Sequence, residues 1–137
     1  MQDFHVVLMS NADISRYPNN KATHFTNTLA TPVEMKGNWS VGLESIVCTG
    51  KVRKSPSMFV CCNLVDDSFV GNKQMPLLRV VQYDSNINLT FDRVNYKQVG
   101  RSFLNSIEVE IRDEENNIYP PEEDMKVLLV LHFKPMQ

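Results

Sequence analysis

The sequence is poor in cysteine, with only Cys48, Cys61 and Cys62. An odd number leaves one thiol over, and the neighbours Cys61 and Cys62 would point to opposite faces of an extended strand, so a disulfide framework is not expected. Free thiols in a reducing compartment are the expectation, because disulfide-stabilised domains belong to oxidising ones. Glycine is also scarce: Gly37, Gly42, Gly50, Gly71 and Gly100 are scattered and none precedes a Lys-Ser/Thr pair. That excludes a phosphate-cradling loop and with it the usual nucleotide chemistry. The longest apolar run, Val127 to Leu131, falls far short of the ~20 residues of a membrane helix. The start Met1-Gln2-Asp3 has no basic-then-apolar signal pattern, so synthesis without a signal peptide and no membrane association are expected. The triplets at Asn38 and Asn88 fit a glycosylation pattern but lack that context. Charge of one sign is missing as well. Fourteen basic residues against sixteen acidic ones leave −2, which denies the chain the positive field of a dedicated nucleic-acid binder. No segment repeats at a fixed period, which excludes solenoids and arrays.

What is present is enough apolar material for a core. At 137 residues and 42% hydrophobic, the chain needs neither metal nor disulfide to hold one domain over residues 1–137. The dominant pattern is alternation. Ile107, Val109 and Ile111 share a phase opposed by Glu108, Glu110 and Arg112, with Phe103 in the apolar phase. Trp39, Val41 and Leu43 alternate with Ser40, Gly42 and Glu44, and Phe4, Val6 and Leu8 open the chain in the same way. This is the period of half-buried strands. Val127 to Phe133 is apolar in both phases until His132, which predicts a strand covered on both faces or lying at a subunit contact.

Thr23–Leu29, Ser57–Leu64, Leu77–Tyr83 and Ile87–Phe91 complete about eight strands, each short, bounded by turn residues and rich in β-branched or aromatic side chains. Turns are expected at Tyr17-Pro18-Asn19-Asn20, Lys36-Gly37-Asn38, Gly71-Asn72-Lys73, Asp84-Ser85-Asn86 and Glu115-Asn116-Asn117. A single helical turn is expected within Val94–Leu104, where Val99, Phe103 and Leu104 have helical spacing. Eight strands favour an all-β, jelly-roll-like antiparallel sandwich over a seven-strand immunoglobulin-like one.

Reactive chemistry is not evident in the spacing. His5, His24 and His132 stand on separate strands or their flanks with no His-x-His or His-Glu-x-x-His pair, so no metal site is expected. His132 is expected near the end of its strand with one ring nitrogen on the backbone. Cys61 and Cys62 have no basic neighbour to lower a thiol pKa and read as buried and inert. Trp39 reads as core rather than as a sugar platform. No enzyme and no cofactor are expected.

Two charged features remain. Six acids and no Lys or Arg lie between Asp113 and Asp124, ending in Glu122, Glu123 and Asp124, and make a negative tip. Lys51-Val52-Arg53-Lys54 is a short basic loop, and Arg79 interrupts the apolar run Leu77 to Val81. Arg79 is expected to point outward or to form an inter-subunit ion pair. Lys51, Arg53, Lys54, Arg79, Glu122, Glu123 and Asp124 are the candidate assembly contacts, the basic loop of one copy facing the acidic tip of the next.

Read as ordered blocks, the chain is recognisable. Phe4 to Asn11, ending in Ser10-Asn11, is followed by Tyr17-Pro18-Asn19-Asn20, by Phe25 with Leu29, and by Trp39, Val41 and Leu43. Val70-Gly71, Pro76 to Val81, Phe103 to Ile107, Arg112-Asp113 and Leu131 to Lys134 come next. This series resembles small proteins of Polinton/Maverick-type DNA transposons and related viruses, and it spans most of the chain. Cys61-Cys62 and the acidic Glu114-Glu115-Asn116-Asn117 depart from that pattern.

The resemblance implies a jelly-roll virion component, a minor capsid or penton-type subunit that self-assembles through symmetric contacts. A homo-oligomer is then expected, with a major capsid protein as a further partner and the virion as its location. A trimeric spike or attachment domain binding a host surface ligand is the alternative, with Tyr17, Tyr83 and Tyr119 as its loop aromatics.

Overall fold

The computed structural model describes residues 2–49, 57–82, 87–121 and 124–136. All regular structure among them is β. The first strand, β1 (Phe4–Met9), pairs antiparallel with the last, β11 (Lys126–Pro135), and β11 continues onto β3 (Trp39–Thr49). β8 (Ile87–Thr90) and the short β9 (Lys97–Gln98) pair with the far side of β3, completing a five-stranded sheet. The second sheet runs in the order β2 (His24–Glu34), β10 (Phe103–Arg112), β4 (Ser57–Cys62), β7 (Leu77–Gln82). A small hairpin of β5 (Ser68–Val70) and β6 (Lys73–Met75) forms a third sheet.

Counting only the eight longer strands, the first pairs with the last, the second with the seventh, the third with the sixth and the fourth with the fifth. One long antiparallel ribbon rolled into two facing sheets has this pairing, which is jelly-roll topology. The eight expected strands are all present. Leu129, Leu131 and Phe133 of β11 and Val41, Leu43 and Ile46 of β3 are fully buried, facing Phe25, Val60, Ile107, Val109 and Ile111 of the other sheet, and the phase of β3 shifts at Glu44, the extra residue in its register with β11. Trp39 is core, as expected, and its indole N–H donates to the Lys36 carbonyl at 3.0 Å.

Two expectations need correction. No helical turn forms within Val94–Leu104: the segment carries β9, an isolated bridge from Val99 to Val65, and the start of β10. Phe103 also leaves the inward phase. The ladder is irregular between Leu104 and Ser106, where one residue of β10 faces four of β2, and the inward phase of β10 shifts there, so Leu104 is fully buried and Phe103 is 56% exposed. The turns behave as read at Gly37, Gly71 and Asn116, all of which take positive φ. Asp84-Ser85-Asn86 lies outside the described residues.

Among the described residues, β11 is not covered on both faces. Its outward residues Leu128, Val130 and His132 are partly exposed, whereas the inward set is sealed. The outer surface of β3 is crossed instead by Val94, Asn95 and Tyr96, and this close approach depends on Gly42. A Cβ at Gly42 would lie 2.4 Å from Val94 Cγ1, 3.0 Å from the Asn95 carbonyl oxygen and 3.2 Å from the Tyr96 ring. Gly42→Ala is therefore expected to cost about 1–3 kcal/mol, as overpacking does, and to loosen Tyr96 from the sheet. Urea unfolding followed by fluorescence measures the first, and the exchange-broadened ring signals of Tyr96 the second.

Candidate outer-face site

The antiparallel register sets His5 of β1 directly opposite His132 of β11, and His132 opposite Gly42 of β3. All three fall in the outward phase, so both imidazoles stand on the outer face of the five-stranded sheet. The rings stack, with centroids 4.5 Å apart and planes 17° from parallel. His5 Nε2 lies 2.8 Å from Glu44 Oε2, and His132 Nε2 lies 2.8 Å from Asp3 Oδ2. The other nitrogen of His132, Nδ1, is 2.6 Å from the Tyr96 hydroxyl, which the segment over Gly42 carries into place. Lys134 Nζ sits 3.7 Å from the Tyr96 ring centroid and closes that side. The backbone contact expected for His132 is thus replaced by two side-chain partners.

The electrostatics follow from this packing. The hydrogen bond from His132 holds the Asp3 carboxyl below its ordinary value. Partial burial, with Glu44 and Asp3 nearby, pushes the Tyr96 phenol up, so it stays a neutral hydroxyl that can donate to or accept from Nδ1. His132 is the shielded member of the group, and His5, Glu44 and Asp3 are open to solvent. Spacing along the chain gave no hint of a cluster because its members lie on three strands and two loops. The available signal was phase: His5 opposes Phe4 and Val6, and His132 opposes Leu131 and Phe133. First-with-last pairing then puts both on one face, and only the register was missing.

A second, simpler cluster lies on the other sheet, where His24 Nε2 is 2.8 Å from Glu108 Oε2 and Glu110 stands near. Glu110 is already engaged by Arg112, at 3.2 Å.

Beside the histidine row the outer face turns apolar. Met9 is opposite Leu128, which is opposite Val47; Val7 is opposite Val130. Val7 is 53% exposed and Met9 40% exposed, on a strand that pairs on one side only among the described residues.

Of the seven candidate contact residues, Lys51, Arg53, Lys54, Glu122 and Glu123 lie outside the described residues. Asp124 is exposed just before β11. The Arg79 guanidinium is engaged within the chain, 3.7 Å from the Phe91 ring centroid and donating to the Arg93 carbonyl at 2.8 Å. Among the loop aromatics, Tyr17 is partly buried with its hydroxyl 3.0 Å from Thr28 Oγ1, Tyr119 is core, and Tyr83 lies outside the described residues.

No protein-family model matches the chain, and no curated protein matches it. Among solved structures it is similar to the crystal structure of the infectious bursal disease virus VP2 subviral particle, with 10% identity and a TM-score of 0.32. The match covers 97% of this chain and 33% of that one, so the chain spans about a third of the length of that protein.

The thiols are buried, as expected, and desolvation pushes Cys48 and Cys62 up to about 12 and Cys61 up to about 11. At pH 8 about one molecule in a thousand or fewer carries a thiolate at any of them. Ellman's reagent is expected to react with none of the three in the native protein within minutes and with all three after denaturation.

Proposed function

We propose that this chain is a virion structural protein, a minor capsid or penton-type subunit of the kind encoded by Polinton/Maverick-like elements and related viruses. It works by geometry rather than by catalysis. The observation that carries the reading is the apolar strip Met9, Leu128, Val47, Val7 and Val130 on the outer face of the five-stranded sheet, running to the edge of β1 that pairs with no strand among the described residues. An exposed apolar strip of this kind on a sheet is a liability unless a partner covers it. Head-to-tail association needs one pair of complementary patches per subunit and closes into a ring, so a small domain can build a vertex. The jelly roll suits this role because its inward phase is consumed by the core and its outer faces and edges are left for contacts. Copies of the same chain are the first partner, and a major capsid protein covering the same face is the second.

The spike reading has one observation in its favour. Phe69, at the β5–β6 hairpin, is 82% exposed, and an aromatic held out on a hairpin is suited to ligand contact.

Val7→Asp combined with Met9→Asp tests the assembly reading, because both side chains are outward and the core is untouched. Sedimentation velocity is expected to show the wild type associated and the double variant at least tenfold weaker in self-association, with unchanged far-UV circular dichroism. Equal association of the two proteins would overturn the outer-face assignment, and a monomeric wild type would overturn self-association through that face. Loss of association in Phe69→Ser instead would move the contact to the hairpin.

A further inference from the structure

We propose that His5, His132 and Glu44 form a binding site for a divalent transition-metal ion, with Zn2+ as the best fit, on the outer face of the five-stranded sheet. The inference does not depend on the assembly reading. One ligand atom from each of the three residues lies within 4.8 Å of the other two, and each residue comes from a different strand: β1, β11 and β3. Two imidazoles and one carboxylate are a borderline donor set, which favours Zn2+ over the oxygen-seeking Mg2+ and Ca2+. Around Zn2+ such atoms sit about 2.0–2.2 Å from the ion and so roughly 3.3 Å from one another. The half-exposed His5 and Glu44 side chains have room to rotate toward that spacing.

The surroundings support the same assignment. A ligating imidazole is usually oriented by a hydrogen bond at its other nitrogen, and Tyr96 supplies one at His132 Nδ1. With the imidazole neutral and its proton on Nε2, the Tyr96 hydroxyl donates to Nδ1 while Nε2–H donates to Asp3. With the ion on Nε2 the tautomer reverses, Nδ1–H donates to the Tyr96 oxygen, and the Asp3 carboxylate is released. Asp3 then balances the second positive charge beside the ion, and water fills the open position. The His24, Glu108 and Glu110 cluster lacks these features. It offers one imidazole, and the Arg112 guanidinium on Glu110 repels a cation.

The ion would tie edge strand β1 to β11 and β3, so binding stabilises the folded chain. Titration of the full chain, freed of metal by chelator, with ZnCl2 in a calorimeter is expected to show one equivalent bound at micromolar affinity. The unfolding temperature should rise by several degrees. His5→Ala and His132→Ala should each weaken binding at least tenfold, Tyr96→Phe about tenfold, and His24→Ala not at all. His5 is half-exposed, so His5→Ala decides the matter if His132→Ala fails to fold. Absence of saturable binding below about 1 mM ZnCl2 would overturn the proposal. So would one-equivalent binding that survives His5→Ala or is lost only in His24→Ala.

Discussion

The antiparallel ladder joining β1 to β11 is the constraint from which the rest of the structure follows. It brings the two ends of the chain together, and every other long pairing nests inside it, second with seventh, third with sixth and fourth with fifth of the longer strands. Such pairings are mostly of high sequence separation, so their loop-closure entropy must be offset by burial gained when the ribbon rolls up. The fully buried Leu131 and Phe133 of β11, packed with Val41 and Leu43 of β3 in the core, provide it. The same ladder sets the outer face. With the register fixed, His5 must meet His132, Val7 must meet Val130, and Met9 must meet Leu128.

The polar residues in the recognisable blocks hold the corner where the chain leaves one sheet for the other. Asn27 accepts from the Met9 N–H at 2.8 Å and donates to its carbonyl at 3.0 Å, clasping β2 to the end of β1. Asn20 donates to the carbonyls of Ala12 and Thr26 and accepts from the Thr26 N–H, while Asp13 accepts from the Thr28 N–H. Ser10 Oγ accepts from the Val127 N–H and ties the start of β11 to the end of β1. These side chains satisfy backbone groups at a turn where no ladder can. Asn20 and Asn27 are therefore structural.

Of the eight long strands, β1, β3 and β10 were legible from period-2 alternation, β11 from its apolar run, and β2, β4, β7 and β8 from β-branched or aromatic content between turn residues. β5, β6 and β9 were not, since two or three residues cannot display a period. Phe103 misled for a physical reason: an irregularity in the ladder changes the phase mid-strand, and alternation carries no mark of where it falls. Val94–Leu104 misled in a related way. Its apolar residues are spaced like one helical face, yet Val99 and Leu104 reach the core from a strand-like path. Burial of the thiols and of Trp39 was readable from neighbours alone. The outer-face cluster was not, because a site assembled across strands exists in the register and not in the spacing.

The central claim of the proposed function is that an outward apolar strip beside edge strand β1 makes this jelly roll a penton-type vertex subunit rather than a trimeric spike. The absolute mass of the full chain by light scattering, across a wide range of protein and salt concentrations, tests it most directly. The account predicts a ring of fixed mass, a pentamer, or growth from it into larger shells. A protein that stays monomeric at every concentration, or that stops at a trimer, would contradict it.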